Sequence, residues 1–118
     1  MADTKPATFK EITPDHITAW KKTKTGLREI AIPLDNEPNG VKAKFVICKP
    51  TRNLLPSITQ YGKDQNIEAL NRLLVTNCVL GGDMHYMDDE VGDMAVYLAV
   101  LEEVGKLMQA NGVISKIL

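Results

Sequence analysis

The sequence predicts an α+β fold: a short N-terminal helix, an antiparallel β-hairpin, then a helical C-terminal half of about three helices, all in one domain over residues 1–118. Three observations predict it. All six prolines stand at or before Pro56, which leaves residues 57–118 open to helices, whose interiors lose about 3 kcal/mol to a proline. Val41, Ala43, Phe45 and Ile47 alternate with Lys42 and Lys44, the period of a half-buried strand. Ile67, Leu70, Leu74 and Cys78 recur at three- and four-residue spacing, the period of an amphipathic helix.

Residues 1–12 lack periodicity and are expected to form a loose N-terminal arm. Thr13-Pro14-Asp15 then supplies a helix start: a hydroxyl for an orphan N–H, proline at the first helical position, and a carboxylate at the positive end of the dipole. This helix should run to about Lys24, with Gly26 placed to end it and Ile17 and Trp20 sharing a face. Leu27–Pro33 and Val41–Lys49 read as the strands of the hairpin, joined by a turn-rich stretch ending in Asn39-Gly40. Two strands are marginal in water, so helices must cover one face. Pro56 predicts a broken helix over residues 51–62. A well-defined helix then follows Gly62-Lys63-Asp64 and ends at Gly81-Gly82. The last helix is expected to start at Asp88-Asp89-Glu90 and to end near Asn111-Gly112; its stretch Met94–Leu101 is apolar nearly all round, as in a helix packed on more than one side. Residues 113–118 are left open between packed tail, strand and frayed end.

The formal net charge is -1, from 14 Lys+Arg against 15 Asp+Glu, which argues against a wholly basic nucleic-acid binder. The sum conceals a split: residues 1–63 carry a net of +5 and residues 64–118 a net of -6. Such polarity suits head-to-tail self-association or the orienting of a partner. The basic series Lys21, Lys22, Lys24, Lys42, Lys44, Lys49 and Arg52 reads as solvated faces, since aromatic side chains for base stacking are scarce. Met1–Asp15 has no apolar core of a secretory signal, so a cytoplasmic protein with reduced thiols is expected, and the longest apolar run is too short for a bilayer.

Catalytic patterns are missing: there is no Gly-x-Ser-x-Gly elbow, phosphate loop or dinucleotide fingerprint. Cys48 and Cys78 read as buried structural thiols, and His16 belongs to a capping turn. No cofactor and no enzyme activity are expected. The alternative reading is a metal-binding module or metal-dependent enzyme using Asp83, His85 and Asp88, with Asp93 nearby, although Asp88–Glu90 already suit a helix start. Met84, Tyr86 and Met87 are the candidate partner-binding residues: two adaptable methionines and an aromatic ring on a loop, where packing over the helix ends is the competing use.

The order of parts resembles a known family. Trp20-Lys21-Lys22 before Gly26, a hairpin, Cys48-Lys49-Pro50-Thr51-Arg52, and Leu73-Leu74-Val75-Thr76-Asn77-Cys78 before a last long helix are similar to the small tail assembly chaperone-like proteins of phages and prophages, over about residues 14 to 110. The turn 34–40 and Pro56 depart from that pattern. The resemblance implies a non-catalytic chaperone of the host cytoplasm, absent from the mature virion, that binds the tape measure protein during tail morphogenesis. The tail tube protein and further copies of the chain are additional partners that it implies; a membrane is not among them.

Overall fold

The computed structural model describes residues 5–34, 40, 42–109 and 115–118. Helix α1 (Pro14–Thr23) leads into strands β1 (Arg28–Pro33) and β2 (Lys42–Ile47), then come helices α2 (Leu55–Lys63) and α3 (Ile67–Cys78), strand β3 (Val79–Gly82) and helix α4 (Met94–Leu107). Single 3-10 turns stand at Phe9–Glu11, Arg52–Leu54 and Met84–Met87. The class is α+β with a helical C-terminal half, as the sequence predicts.

Helix α1 starts where its caps dictate. The Thr13 hydroxyl accepts the His16 N–H at 3.3 Å, and His16 Nδ1 accepts the Thr13 N–H at 3.0 Å, a reciprocal box with histidine in the place usual for glutamate. The His16 ring stacks on Trp20, centroids 5.6 Å apart. Gly26 at φ 65° turns the chain into β1, and a Cβ there would stand 2.9 Å from the Lys49 Cβ. The Asn39-Gly40 bend lies largely outside the described residues, as do the expected helix end at Asn111-Gly112 and residues 113 and 114. Residues 115–118 carry no regular secondary structure.

Strands β1 and β2 pair antiparallel with Ile30 opposite Phe45 and Ile32 opposite Ala43. The sheet has a third strand that the sequence reading assigned to a helix. Helix α3 stops at Cys78, and Val79–Gly82 pairs antiparallel with β2 in the order β1-β2-β3, with an irregularity between Val46 and Ile47. The competing force is tertiary: Val79 and Leu80 are buried in the sheet, a site that a continued helix would not reach. From Phe45 onward β2 is covered on both faces, because Phe45, Val46, Ile47 and Cys48 are all buried although successive side chains point to opposite sides.

The expected loose arm is docked from Lys5 onward. Gly82 N–H donates to Pro6 O at 3.2 Å and Met84 N–H to Ala7 O at 3.0 Å, so the arm occupies the outer edge of β3. Lys5 Nζ donates to Val75 O and Thr76 O, two carbonyls in the last turn of α3, where a cation complements the helix dipole.

Helix α4 also starts later than expected. Asp88 Oδ1 accepts the N–H groups of Glu90 and Val91, which folds 88–92 into a turn, and the Asp93 carboxylate caps Ala95 and Val96. Val96, Val100 and Val104, four residues apart, form one fully buried stripe with Phe45, Ile47 and Val79 in the same core. Each such side chain contributes roughly 1.5–3 kcal/mol by leaving water. The helix is not packed all round: Met94 and Leu98 are exposed on the other side. Among the described residues, no helix is long and apolar enough to cross a membrane.

Candidate functional site

The sequence-flagged residues separate into two roles. Asp83 is an internal tie: Oδ1 accepts the Phe9 N–H at 2.9 Å and Oδ2 accepts the Lys44 N–H at 3.0 Å. Asp88 and Asp93 are spent on turn and cap amides, and His85 is exposed with its ring tilted over Tyr86. Among the described residues, no three His, Cys, Asp or Glu side chains converge as ligands, so the metal reading loses its ligand set. Met87 is buried in the core, while Met84 and Tyr86 are half-buried against it. Of the three candidate partner-binding residues, Tyr86 and Met87 border a groove.

That groove, of about 570 Å³, lies between α3 and the start of α4. Tyr86, Met87, Met94 and Tyr97 supply its apolar surface, Asn71 reaches in from α3, and Glu68, Asp88, Asp89, Glu90 and Asp93 rim it with carboxylates. The turn that carries the rim is held by Asp93 N–H donating to Tyr86 O at 2.9 Å and Gly92 N–H to Asp88 O at 3.1 Å. Hydrogen bonds from the Val91 and Glu90 amides hold the Asp88 carboxyl below its ordinary value, so it is ionised throughout the neutral range. Burial, then the Asp89 carboxylate, pushes the Tyr97 phenol up. Arg72 is the one cation at the rim among the described residues, 3.0 Å from Glu68 and 3.7 Å from Asp89 in exposed pairs of little strength.

Beside the groove runs an uncovered apolar strip: Val91 is 82% exposed, Met94 76% and Leu98 55%. Single exposed apolar side chains are ordinary, but Met94 and Leu98 stand one turn apart on α4, Val91 lies in the turn just before them, and together they continue the groove floor from Met94. Sequence reasoning missed them as a surface. Met94 and Leu98 are spaced four apart like the valines of the buried stripe, and only the fold decides which stripe meets the core. A second hollow of about 510 Å³, lined by Tyr61, Asn66, Ala69, Arg72, Leu73 and Asn77 among others, is about evenly polar and apolar.

The cysteines are buried, as expected, and adjacent. Cys48 N–H donates to Cys78 O at 2.8 Å, and Cys48 Sγ donates to Asn77 O at 3.6 Å. A hydrogen bond from the Cys78 thiol lowers Cys48 to about 7 against the opposing effect of burial, with Lys24 and Lys5 assisting. The same hydrogen bond, then burial, pushes Cys78 up. The basic series is divided among α1, β2 and the segment after it, and Lys44 Nζ sits 5.3 Å from the centre of the Phe9 ring. Comparison of the chain with protein-family models, with curated proteins and with solved structures finds no match.

Proposed function

We propose that this chain is a non-catalytic tail assembly chaperone of a phage or prophage, acting in the host cytoplasm by reversible binding of the tape measure protein. The observation that carries the binding role is the exposed Val91-Met94-Leu98 strip continuous with an apolar, acid-rimmed groove. A carrier that must release its client suits a modest apolar face with a charged margin better than a large dry interface. The tail identity of the client rests on the motif order from Trp20-Lys21-Lys22 to Asn77-Cys78. The tail tube protein and a second copy of the chain are further partners on this reading.

Co-expression with the tape measure protein encoded in the same tail gene cluster tests it. The expected result is a soluble complex that co-elutes on size exclusion. Tape measure protein that stays insoluble and is not retained by the tagged chain overturns the reading.

A further inference from the structure

We infer that the α3–α4 groove and the strip beside it dock a cationic amphipathic helix, with apolar side chains laid on Met94 and Leu98 and Lys or Arg side chains reaching the rim carboxylates. The occupant follows from three features. Five carboxylates surround the groove against the single guanidinium of Arg72, within a C-terminal half of net charge -6. That field opposes an acidic segment and draws a basic one. The floor suits the stems of such residues: the Tyr86 and Tyr97 side chains line it, and the thioethers of Met87 and Met94 adapt to varied shapes. Lys and Arg lay their methylene chains on surfaces of this kind and keep the charge at the edge.

A helix fits where a strand does not. One wall of the groove is α3 and the other is the 86–93 turn leading into α4, and the edges of β3 are taken by β2 on one side and Pro6-Ala7 on the other, so among the described residues no ladder borders the groove for strand addition. On α4 the strip runs from Met94 to Leu98, about 6 Å along the helix axis and just over one turn, and Val91 extends it from the preceding turn.

The inference rests on the client-binding reading only for the identity of the natural client, and its test uses none of that client. The full chain, labelled with nitrogen-15, is titrated with a synthetic amphipathic peptide bearing leucines at helical spacing flanked by lysines, and with the same peptide carrying glutamates instead. The expected result is saturable shifts at Asn71, Met94, Tyr97 and Leu98 with the lysine peptide, weakened as NaCl is raised. The glutamate peptide should produce none. L98D and the pair D89K/E90K, all at exposed sites, should each weaken binding roughly tenfold while circular dichroism and melting stay as in the parent. Equal binding of both peptides, shifts confined to other surfaces, or no binding at all overturns the inference. So does concentration-dependent shifting of the groove residues without peptide, since the occupant is then a second copy. A tape measure protein that binds the parent and both variants equally overturns the groove and leaves the client reading standing.

Discussion

Gly82 lies against Phe45 across the β2–β3 ladder, so close that a Cβ on the glycine would stand 2.6 Å from the Phe45 Cα. Its φ of 143° is a conformation that side chains resist, and the two nearest obstructing atoms, Lys44 O and Phe45 Cα, are backbone that cannot step aside. Gly82→Ala should therefore cost on the order of 2–4 kcal/mol, read as a lowered urea midpoint at unchanged slope. A loss within experimental error of zero would show that the two strands do not meet this closely.

The Asp83 carboxylate fastens the arm to the middle strand by accepting amides from Phe9 and Lys44. Asp83→Asn keeps the shape but leaves one of the two N–H groups facing a donor. The expected cost is about 1–3 kcal/mol, with faster hydrogen exchange at Phe9 and Lys44 and quicker tryptic cleavage after Lys10. Unchanged exchange at both amides would dismiss the tie.

Helices α2 and α3 meet at a joint in which Asn66 N–H donates to Tyr61 O at 2.9 Å and Gln65 N–H to Gly62 O at 3.1 Å. This is a Schellman motif, and Gln65 at φ 55° fills the left-handed position usually given to glycine. Asn66 at once caps α3 by accepting the Ala69 N–H. Gln65→Gly should raise stability by up to about 1 kcal/mol, measured as an increased melting temperature. A fall would mean that the Gln65 side chain contributes more than its backbone strain costs.

The thiol pair gives a pH dependence with a definite sign. Native Cys48 ionises near 7, below its ordinary 9.0, so between those values the unfolded chain holds a proton that the native chain has released, and stability rises with pH. Cys78 is shifted up from 9.0, so above that value the unfolded chain loses a proton that the native chain keeps, and stability falls again. The stability difference between the parent and the C48S/C78S double variant should peak near pH 9. Thiolate absorbance at ~240 nm should show one sulfur titrating near 7 in the parent and not in C48S. A first transition at 9 or above in the parent would contradict the pairing.

Local chemistry made part of this fold legible in the sequence. Thr13-Pro14-Asp15 marked the start of α1 because a cap is decided by its own few residues, and the alternation of Ala43, Phe45 and Ile47 marked β2 because one face is buried. Strand β3 was hidden: Val79 and Leu80 continue the apolar run of α3, and their extended state depends on Phe45 and Val46 far back in the chain. Asp88-Asp89-Glu90 imitated a helix start, while Asp93, placed just before Met94-Ala95-Val96, was the residue that capped it. At the candidate site, Tyr86 and Met87 stand at the edge of the groove and Met84 does not, and burial of Met87 and exposure of Leu98 are properties of packing that spacing does not contain.

The clasp of Lys5–Phe9 on β3 also sets an order of events in folding. Phe9 and Asp83 are 74 residues apart, and Lys5 lies 70 and 71 residues from the carbonyls it holds. Contacts of such separation close late, after the helices and hairpin that nearby residues can form by themselves. During synthesis the β1–β2 hairpin is complete long before β3 exists, so the nascent chain carries β2 with an open inner edge and half of its buried face uncovered. The final sheet becomes available only when the chain has been made through Asp83, the residue that ties Phe9 to β2.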